Sequence, residues 1–482
     1  MSTVPKLKYF GTSGIRGKTL IDITPNFAER MARAYVDVVL SGIDSPIVVI
    51  GRDPRYGAEI LELALIVGLT ACGVSVKQCG IVPTPVLLTY QYLTKADGAI
   101  IVTGSHIAPD RIGLIFMTSD GSYCSDHIAF QIEQRFETFS DKDGIIPISK
   151  LDDLKQIGDI EQINDIWEKY RNFLYSKIDL EKIKGFSNSV VIDPGNGTAA
   201  GFFSSFLKEL GINVFSINDS FSPVSDRLSE PIDANLGKLK EMISQNAELG
   251  IAFDLDADRV TFITNTETGS YTIPADHIGA FFFYVLLNQG LRGDIVLPVN
   301  SSGVIDVILD KFSLQADYCK IGQPGTIELV KKKPNPLFSY EESGKFYFFH
   351  EGILWTDGML TALKLLEIIS QTKKSLWLIL KDILHGYLDY ETVTKKYALS
   401  EENIPVFKEK LNEYFVQNKL SNEISRITID GIRITFFDKS WLLFRFSGTE
   451  PAFRLVANAP TKQKAVMLIE KYASVVEILL LK

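Results

Sequence analysis

The stretch AFDLDADRV, from Ala252, sets Asp254, Asp256 and Asp258 at alternate positions behind an apolar run. In an extended segment alternate side chains share a face, so the spacing predicts three convergent carboxylates. Crowded like charges either raise a pKa or recruit a cation. Hard oxygen ligands with space left for a phosphate oxygen or water suit Mg²⁺ better than zinc. The same residues also fit a solvated acidic loop. An EF-hand is excluded, because its sixth position would be Arg259 instead of Gly and its twelfth Asn265 instead of Glu.

Four further loops carry reactive or donor groups. RFSGTEPAFR brings Arg445, Ser447, Gly448, Thr449 and Arg454 into one turn, where guanidinium forks, hydroxyls and free N–H groups could cradle a phosphate or simply form a turn. SYEESGKFYF offers Glu341, Glu342, Ser343 and Lys345 around Gly344, a set suited to neighbouring sugar hydroxyls or to an exposed charged loop. VTGSHIAPDRIGLIF places Ser105 beside His106 in a Gly/Pro loop and follows them with Ile112 and Ile115. Near the N-terminus, FGTSGIRGK holds Arg16 in a Gly-rich turn. Asp256-Ala-Asp258-Arg-Val260 has the D-x-D-x-V form of haloacid-dehalogenase-type phosphatases, but those open their domain with the motif, and here it lies mid-chain.

The elements that must position these loops can be read from periodicity. IVVIGRDPR at 47, VVIDPGNGT at 190 and IVLPVNSSG at 295 each run from a β-branched apolar strand through a polar turn into a helical period. Such runs fit strands buried on both faces, so three α/β units are expected. Beyond about residue 395 a polar helical stretch, EENIPVFKEKLNEYF, precedes the strand-like runs ITIDGIRITFF and WLLFRF, which fits a small α+β domain. Linkers are expected in SDKDGIIPISKLDDLK at 140, around NTETGS at 265 and through QTKKS at 371.

The length of 482 residues favours several domains, and the composition, 46% hydrophobic and 23% charged, is that of a globular protein. A net charge of −9 argues against nucleic acid or an anionic membrane as partner. Cys72, Cys79, Cys124 and Cys319 form no CxxC pair and read as reduced thiols of a cytoplasmic protein. The apolar run IGAFFFYVLL is about half of a membrane span, and MSTVPKLKYF lacks the core of a signal peptide.

Taken in order, FGTSGIRG, GRDPR, PTP, TGSH, DPGNGT, SEPIDANL, DLDADR, EESGK and RFSGTEP make the chain resemble the α-D-phosphohexomutases, most closely their phosphomannomutase/phosphoglucomutase branch. The resemblance implies four domains around a central cleft. Three are related α/β domains with mixed sheets covered by helices, 1–150, 151–268 and 269–385, and the fourth is a smaller α+β domain, 386–482. It implies transfer of phosphate between the 1 and 6 positions of a hexose such as glucose or mannose, through a phosphoserine and a hexose 1,6-bisphosphate that serves as intermediate and activator. By position Ser105 would carry the phosphoryl group and, with Asp254, Asp256 and Asp258, bind one Mg²⁺ per chain. Arg16 and Arg259 would steady the phosphoserine and its surroundings, Glu341 and Ser343 would read the sugar, and Arg445, Ser447, Gly448, Thr449 and Arg454 would hold the phosphate that is not reacting. A monomer or homodimer working on a small hexose phosphate is expected.

Departures in three loops bear on the chemistry. The family's serine loop usually continues to Asn-Gly-x-Lys, with the lysine as general base, whereas here Ile112 and Ile115 flank the surviving Gly113. The sugar loop ends in Lys345 where His is common, Tyr340 stands where Gly is favoured, and Leu255 replaces the first Gly of the metal loop. Lys345 is thus the leading candidate acid and base, with His106 second as an orienting partner. The alternative is a catalytically altered relative that binds sugar phosphate in a regulatory or partner role.

Overall fold

A computed structural model describes residues 7–139, 157–372, 374–400, 402–447 and 452–481. The chain packs as two compact units, one of residues 1–273 with 343–377 and one of 274–342 with 378–482. The linker expected at 140–155 lies outside the described residues.

The first unit contains two sheets. One orders its strands β1 (Phe10–Gly11), β2 (Gly14–Lys18), β6 (Arg111–Met117), β5 (Gly98–Val102), β3 (Ile47–Arg52), β4 (Ser75–Ile81) and β7 (Ile160–Gln162). β3, β4, β5 and β7 run parallel, β6 runs antiparallel to β5 and β2 antiparallel to β6, so the sheet is mixed. β5 is buried along its whole length, as a continuous Gly-Ala-Ile-Ile-Val run requires. Helices α1 (Pro25–Val39), α2 (Ala58–Ala71) and α4 (Asp126–Glu137) share one core with this sheet, and α3 (Thr84–Thr94) packs against β3 and β5 outside that cluster. Caps fix the helix starts: the Thr24 side chain accepts from Phe27 N and that of Ser125 from Ile128 N.

The second sheet orders β12 (Gly269–Ile273), β11 (Val260–Thr266), β10 (Leu249–Phe253), β8 (Ser189–Asp193) and β9 (Asn213–Ser216). β8, β9 and β10 are parallel, and β11 and β12 antiparallel. The segment around 265, expected as a linker, is instead the tight turn of the β11/β12 hairpin, with Asn265 paired to Ser270 and Thr266 to Gly269. Its polar Thr/Glu/Gly composition reflects a hairpin turn, a signal that composition alone does not separate from a linker.

In the second unit Ile295–Pro298 and Ala316–Cys319 pair in parallel among the helices Ala275–Asn288, Gly303–Asp310 and Gln323–Val330. Its C-terminal part is a five-stranded antiparallel sheet, ordered Glu391–Ala398, Ala452–Ala459, Trp441–Phe446, Ile432–Phe436 and Glu423–Ile427. The helices Asn403–Gln417 and Lys462–Leu481 share its core through Phe407, Leu411, Phe415, Leu468 and Tyr472. The strand, turn and helix sequence expected at 47, 190 and 295 is found in all three places. Three α/β domains and a smaller α+β domain make up the chain. No helix among the described residues is long and apolar enough to cross a membrane.

Candidate active site

The serine loop leaves β5 at Thr103 and is tied down before it can bend freely. Gly104 N donates to Asp53 Oδ2 at 2.7 Å, and Ser105 N to Thr103 Oγ1 at 2.8 Å. Arg55 is buried beneath the loop and donates to the carbonyls of Ser105, Ile107, Ala108 and Arg111 and to Ser229 Oγ. A Cβ at Gly104 would lie 1.7 Å from Arg55 Nη1, so only glycine admits this clamp. Ser105 itself takes φ 45°, a conformation costly for a non-glycine residue and held here by the surrounding bonds.

The strain aims a hydroxyl. Ser105 Oγ donates to Asp254 Oδ2 at 2.8 Å and lies 3.2 Å from His106 Nδ1. One oxygen from each of Asp254, Asp256 and Asp258 falls within 4.8 Å of the others, and all three residues are buried. The convergence arises differently from the expectation. Residues 254–258 form a turn past the end of β10, not an extended segment, with Ala257 N donating to Asp254 O and Ala257 at φ 54°. A turn brings the first and last carboxylates together, which a strand spreading them along its length would not.

Three successive carbonyls of this turn are each held by a different element. Leu255 O accepts from Thr198 N and Oγ1, Asp256 O from Thr84 N, and Ala257 O from Gly358 N. Gly197 and Gly358 are required there, since added Cβ atoms would lie 2.4 Å from Leu255 O and 2.8 Å from Arg259 O. Val260 N then donates to Gly344 O at 3.0 Å, joining the turn to the segment that carries Lys345.

Charge is crowded at the turn. Burial, then Asp256 and Asp258, push Asp254 well above the ordinary carboxylate range. Burial, then Asp258, also raise Asp256. Burial works upward on Asp258 too, but the ammonium of Lys345 and the guanidinium of Arg259 hold it below its ordinary value. Lys345 is buried with Nζ 2.6 Å from Asp258 Oδ2 and 5.8 Å from the centre of the Tyr123 ring, whose hydroxyl lies 3.4 Å from the same carboxylate oxygen. Arg259 N donates to Asp254 Oδ1, and its side chain lies 3.8 Å from Asp254 and 3.5 Å from Glu230. His106, half-buried, is pushed down to about 3 by burial and by Arg259, Arg16 and Lys345.

The donor set fits a hard divalent cation. Asp256 Oδ1 and Asp258 Oδ1 are buried carboxylate oxygens without a donor among the described residues, while the other oxygen of each accepts from Thr84 or Lys345. The triad offers carboxylate oxygens, the hard ligands that Mg²⁺ prefers.

Arg16 reaches the serine loop from β2. It stands opposite Gly113 in the β2/β6 register and donates to Thr103 O. A Cβ at Gly113 would lie 2.2 Å from Arg16 Nη1, so this glycine of β6 is the floor on which the arginine lies. The two isoleucines beside it differ in role. Ile112 enters the core of the first sheet with Leu114 and Phe116, whereas Ile115 alternates onto the strand face that carries Gly113.

Ser105, His106, Arg16, Asp254, Asp256, Asp258, Arg259 and Lys345 thus gather within the first unit, and Ser343 Oγ in the same unit is shielded without a hydrogen-bond partner among the described residues. Glu341, Arg445, Ser447 and Arg454 belong to the second unit, and Gly448 and Thr449 lie outside the described residues. There Arg445 and Arg454 are direct cross-strand partners, with Lys396 next in register on the adjoining strand. Like charges set opposite one another are unfavourable unless an anion joins them. Arg445 Nε also lies 3.0 Å from Asp430 Oδ2. Tyr340 lies buried against Gly279, donates to Asp276 Oδ1 at 2.6 Å and accepts from Ser302 N. Sequence reasoning missed Arg55, Thr84, Thr198 and Tyr123, although GRDPR, PTP and DPGNGT marked the first three.

Comparison with known proteins agrees with this geometry. Residues 7–143, 168–269 and 274–387 match, in turn, the phosphoglucomutase/phosphomannomutase alpha/beta/alpha domains I, II and III. A phosphoglucosamine/phosphogalactosamine mutase of Sulfurisphaera tokodaii is 30% identical over 98% of this chain and 99% of its own length. A phosphoglucomutase/phosphomannomutase of Thermococcus kodakarensis is 30% identical over 96% of this chain and 97% of its own. In fold, a phosphoglucomutase/phosphomannomutase family protein of Burkholderia thailandensis superimposes with a TM-score of 0.79 at 23% identity, covering 98% and 97% of the two chains. Three α/β/α domains and a buried acidic triad define the α-D-phosphohexomutase superfamily here. The chain belongs to its phosphoglucomutase/phosphomannomutase family and is an intramolecular phosphotransferase.

Proposed function

We propose that the chain moves a phosphoryl group between the 1 and 6 oxygens of a hexose or hexosamine monophosphate, with Ser105 as the carrier and the 1,6-bisphosphate as the intermediate. The observation that carries this reading is the 2.8 Å hydrogen bond from Ser105 Oγ into the buried triad of Asp254, Asp256 and Asp258. A phosphoserine adds about −1.5 to −2 charges, which three buried carboxylates do not tolerate without a cation. Mg²⁺ held by the three aspartates and Ser105 would neutralise the oxygens of the transferring group.

The chain's own residues do the rest. Phosphoryl transfer through a loose transition state depends on positioning and on fixed cations more than on covalent chemistry. Arg55 fixes the loop, and Arg16 and Arg259 steady the phosphorylated serine. In the first half-reaction the bond from phosphorus to Ser105 Oγ breaks as the sugar hydroxyl oxygen binds phosphorus. The sugar hydroxyl loses a proton and Ser105 Oγ gains one. In the second half-reaction Ser105 Oγ takes the other phosphate of the bisphosphate, and the protons move in reverse. We assign the proton transfers to Lys345, standing in for the lysine that Ile115 replaces, and an orienting role to His106. Glu341 and Ser343 are assigned to the sugar hydroxyls, and Arg445, Ser447, Gly448, Thr449 and Arg454 to the idle phosphate.

A coupled assay against glucose, mannose and glucosamine 1-phosphates, with Mg²⁺ and a trace of the matching 1,6-bisphosphate, tests the reading. Turnover of at least one, dependent on both additions, is expected. Binding of all three without turnover would make the chain a sugar-phosphate-binding relative instead.

A further inference from the structure

The PTP motif at 83–85 has no chemistry of its own, yet it brackets one hydroxyl with two prolines. Pro83 takes the N-cap of α3 at φ −62°, ψ 146°, and Pro85 occupies the first turn. Proline fixes its own φ and restricts the residue before it, so Pro83 sets the chain's entry into the helix and Pro85 restricts the backbone of Thr84. Its β-branched side chain has few rotamers left. Thr84 is buried.

Both of its donors are spent on a single residue. Thr84 N, one of the donors that a helix's first turn leaves without an internal partner, reaches Asp256 O at 3.0 Å. Thr84 Oγ1 reaches Asp256 Oδ2 at 2.8 Å. The main chain and one carboxylate oxygen of Asp256 are therefore gripped together. The remaining oxygen, Asp256 Oδ1, is buried with no partner among the described residues, an expensive arrangement for an anion unless something else satisfies it.

We infer that Thr84 is a positioning residue of the metal centre, which holds Asp256 by two points so that Oδ1 is presented to the cation. The inference rests on the metal reading proposed above and extends it to a residue that touches neither metal nor substrate. Partners of this kind that orient a ligand commonly change metal affinity 10- to 100-fold when removed.

The test is a Mn²⁺ titration of the full-length, dephosphorylated protein by calorimetry and electron paramagnetic resonance, comparing wild type with Thr84→Val, Thr84→Ala, Thr84→Ser and Asp256→Asn. Both hydroxyl-free variants should bind Mn²⁺ about 10- to 100-fold more weakly, and Thr84→Ser should stay within a few-fold of wild type. Thermal melts in a chelator establish which variants fold, and Thr84→Ala serves if the valine does not fit. Wild-type affinity in a folded hydroxyl-free variant, with affinity lost in Asp256→Asn, would overturn the inference and leave the metal centre standing. Failure of the wild type to bind Mn²⁺, or undiminished binding by Asp256→Asn, would overturn the metal reading and this inference with it.

Discussion

Lys345 sets its ammonium nitrogen 2.6 Å from Asp258 Oδ2, with both side chains almost fully buried. The pair puts an ammonium at the edge of the acidic triad, and it is to this group that we assign the proton transfers.

Lys345→Met should lower turnover on the order of 10²-fold or more, the low end of general acid–base contributions. Steady-state mutase kinetics measure it. Near-normal turnover in the folded variant would remove Lys345 from the proton path.

Gly113→Ala tests the contact that seats Arg16. The new methyl would meet the guanidinium, Arg16 Cδ at 2.6 Å and Ile15 O at 2.7 Å. Overpacking of this kind costs about 1–3 kcal/mol, and the displaced arginine should lower turnover as well. Thermal melting and mutase rates of the same preparation check both effects. Full activity with unchanged stability would mean that Arg16 does not need this floor.

Asp357 caps the helix Gly358–Ile369, whose first N–H holds the turn of the acidic triad, and accepts from Tyr170 OH at 2.9 Å. Burial raises its carboxyl from 3.8 to about 6. The unfolded chain ionises first as pH rises, so stability falls between about pH 4 and 6 and then levels off, a loss on the order of 2–3 kcal/mol. Asp357→Asn keeps an acceptor and removes the titration. Urea denaturation across this range should show wild type losing stability relative to the variant, and parallel curves would contradict the burial argument.

How much of this was legible in the sequence depends on the range of the interaction. The three strand-loop-helix units are local patterns of apolar runs and turns, and Val190–Ile192 is buried as the β-branched run requires. The meeting of Asp254, Asp256 and Asp258 was foreseen for the wrong reason, since periodicity assumed a strand and the chain makes a turn. The hairpin at 265 shows the same limit, because a polar turn inside a sheet and a polar linker share a composition. What no local pattern contains is the set of donors from Thr84, Thr198 and Gly358 onto consecutive carbonyls of the turn. Those residues lie up to 172 positions from the residue they hold, the span between Thr84 and Asp256. Tyr340 is similar, for its space depends on Gly279 across the fold.

Arg454→Ala separates the anion role of the paired arginines from a packing role. Removing one of two guanidinium groups that face each other should leave stability within about 0.5 kcal/mol. KM for either hexose monophosphate should rise about 10-fold or more, as loss of a charge-assisted phosphate contact predicts. Kinetics and chemical denaturation on one variant decide it, and an unchanged KM would exclude Arg454 from phosphate binding.

The most direct test of the central claim is peptide mass spectrometry of the protein after incubation with Mg²⁺ and glucose 1,6-bisphosphate. The account predicts one added phosphoryl group, localised to Ser105, absent from Ser105→Ala and discharged by hexose 1-phosphate. Turnover with Ser105 unmodified throughout, or undiminished activity in Ser105→Ala, would contradict it.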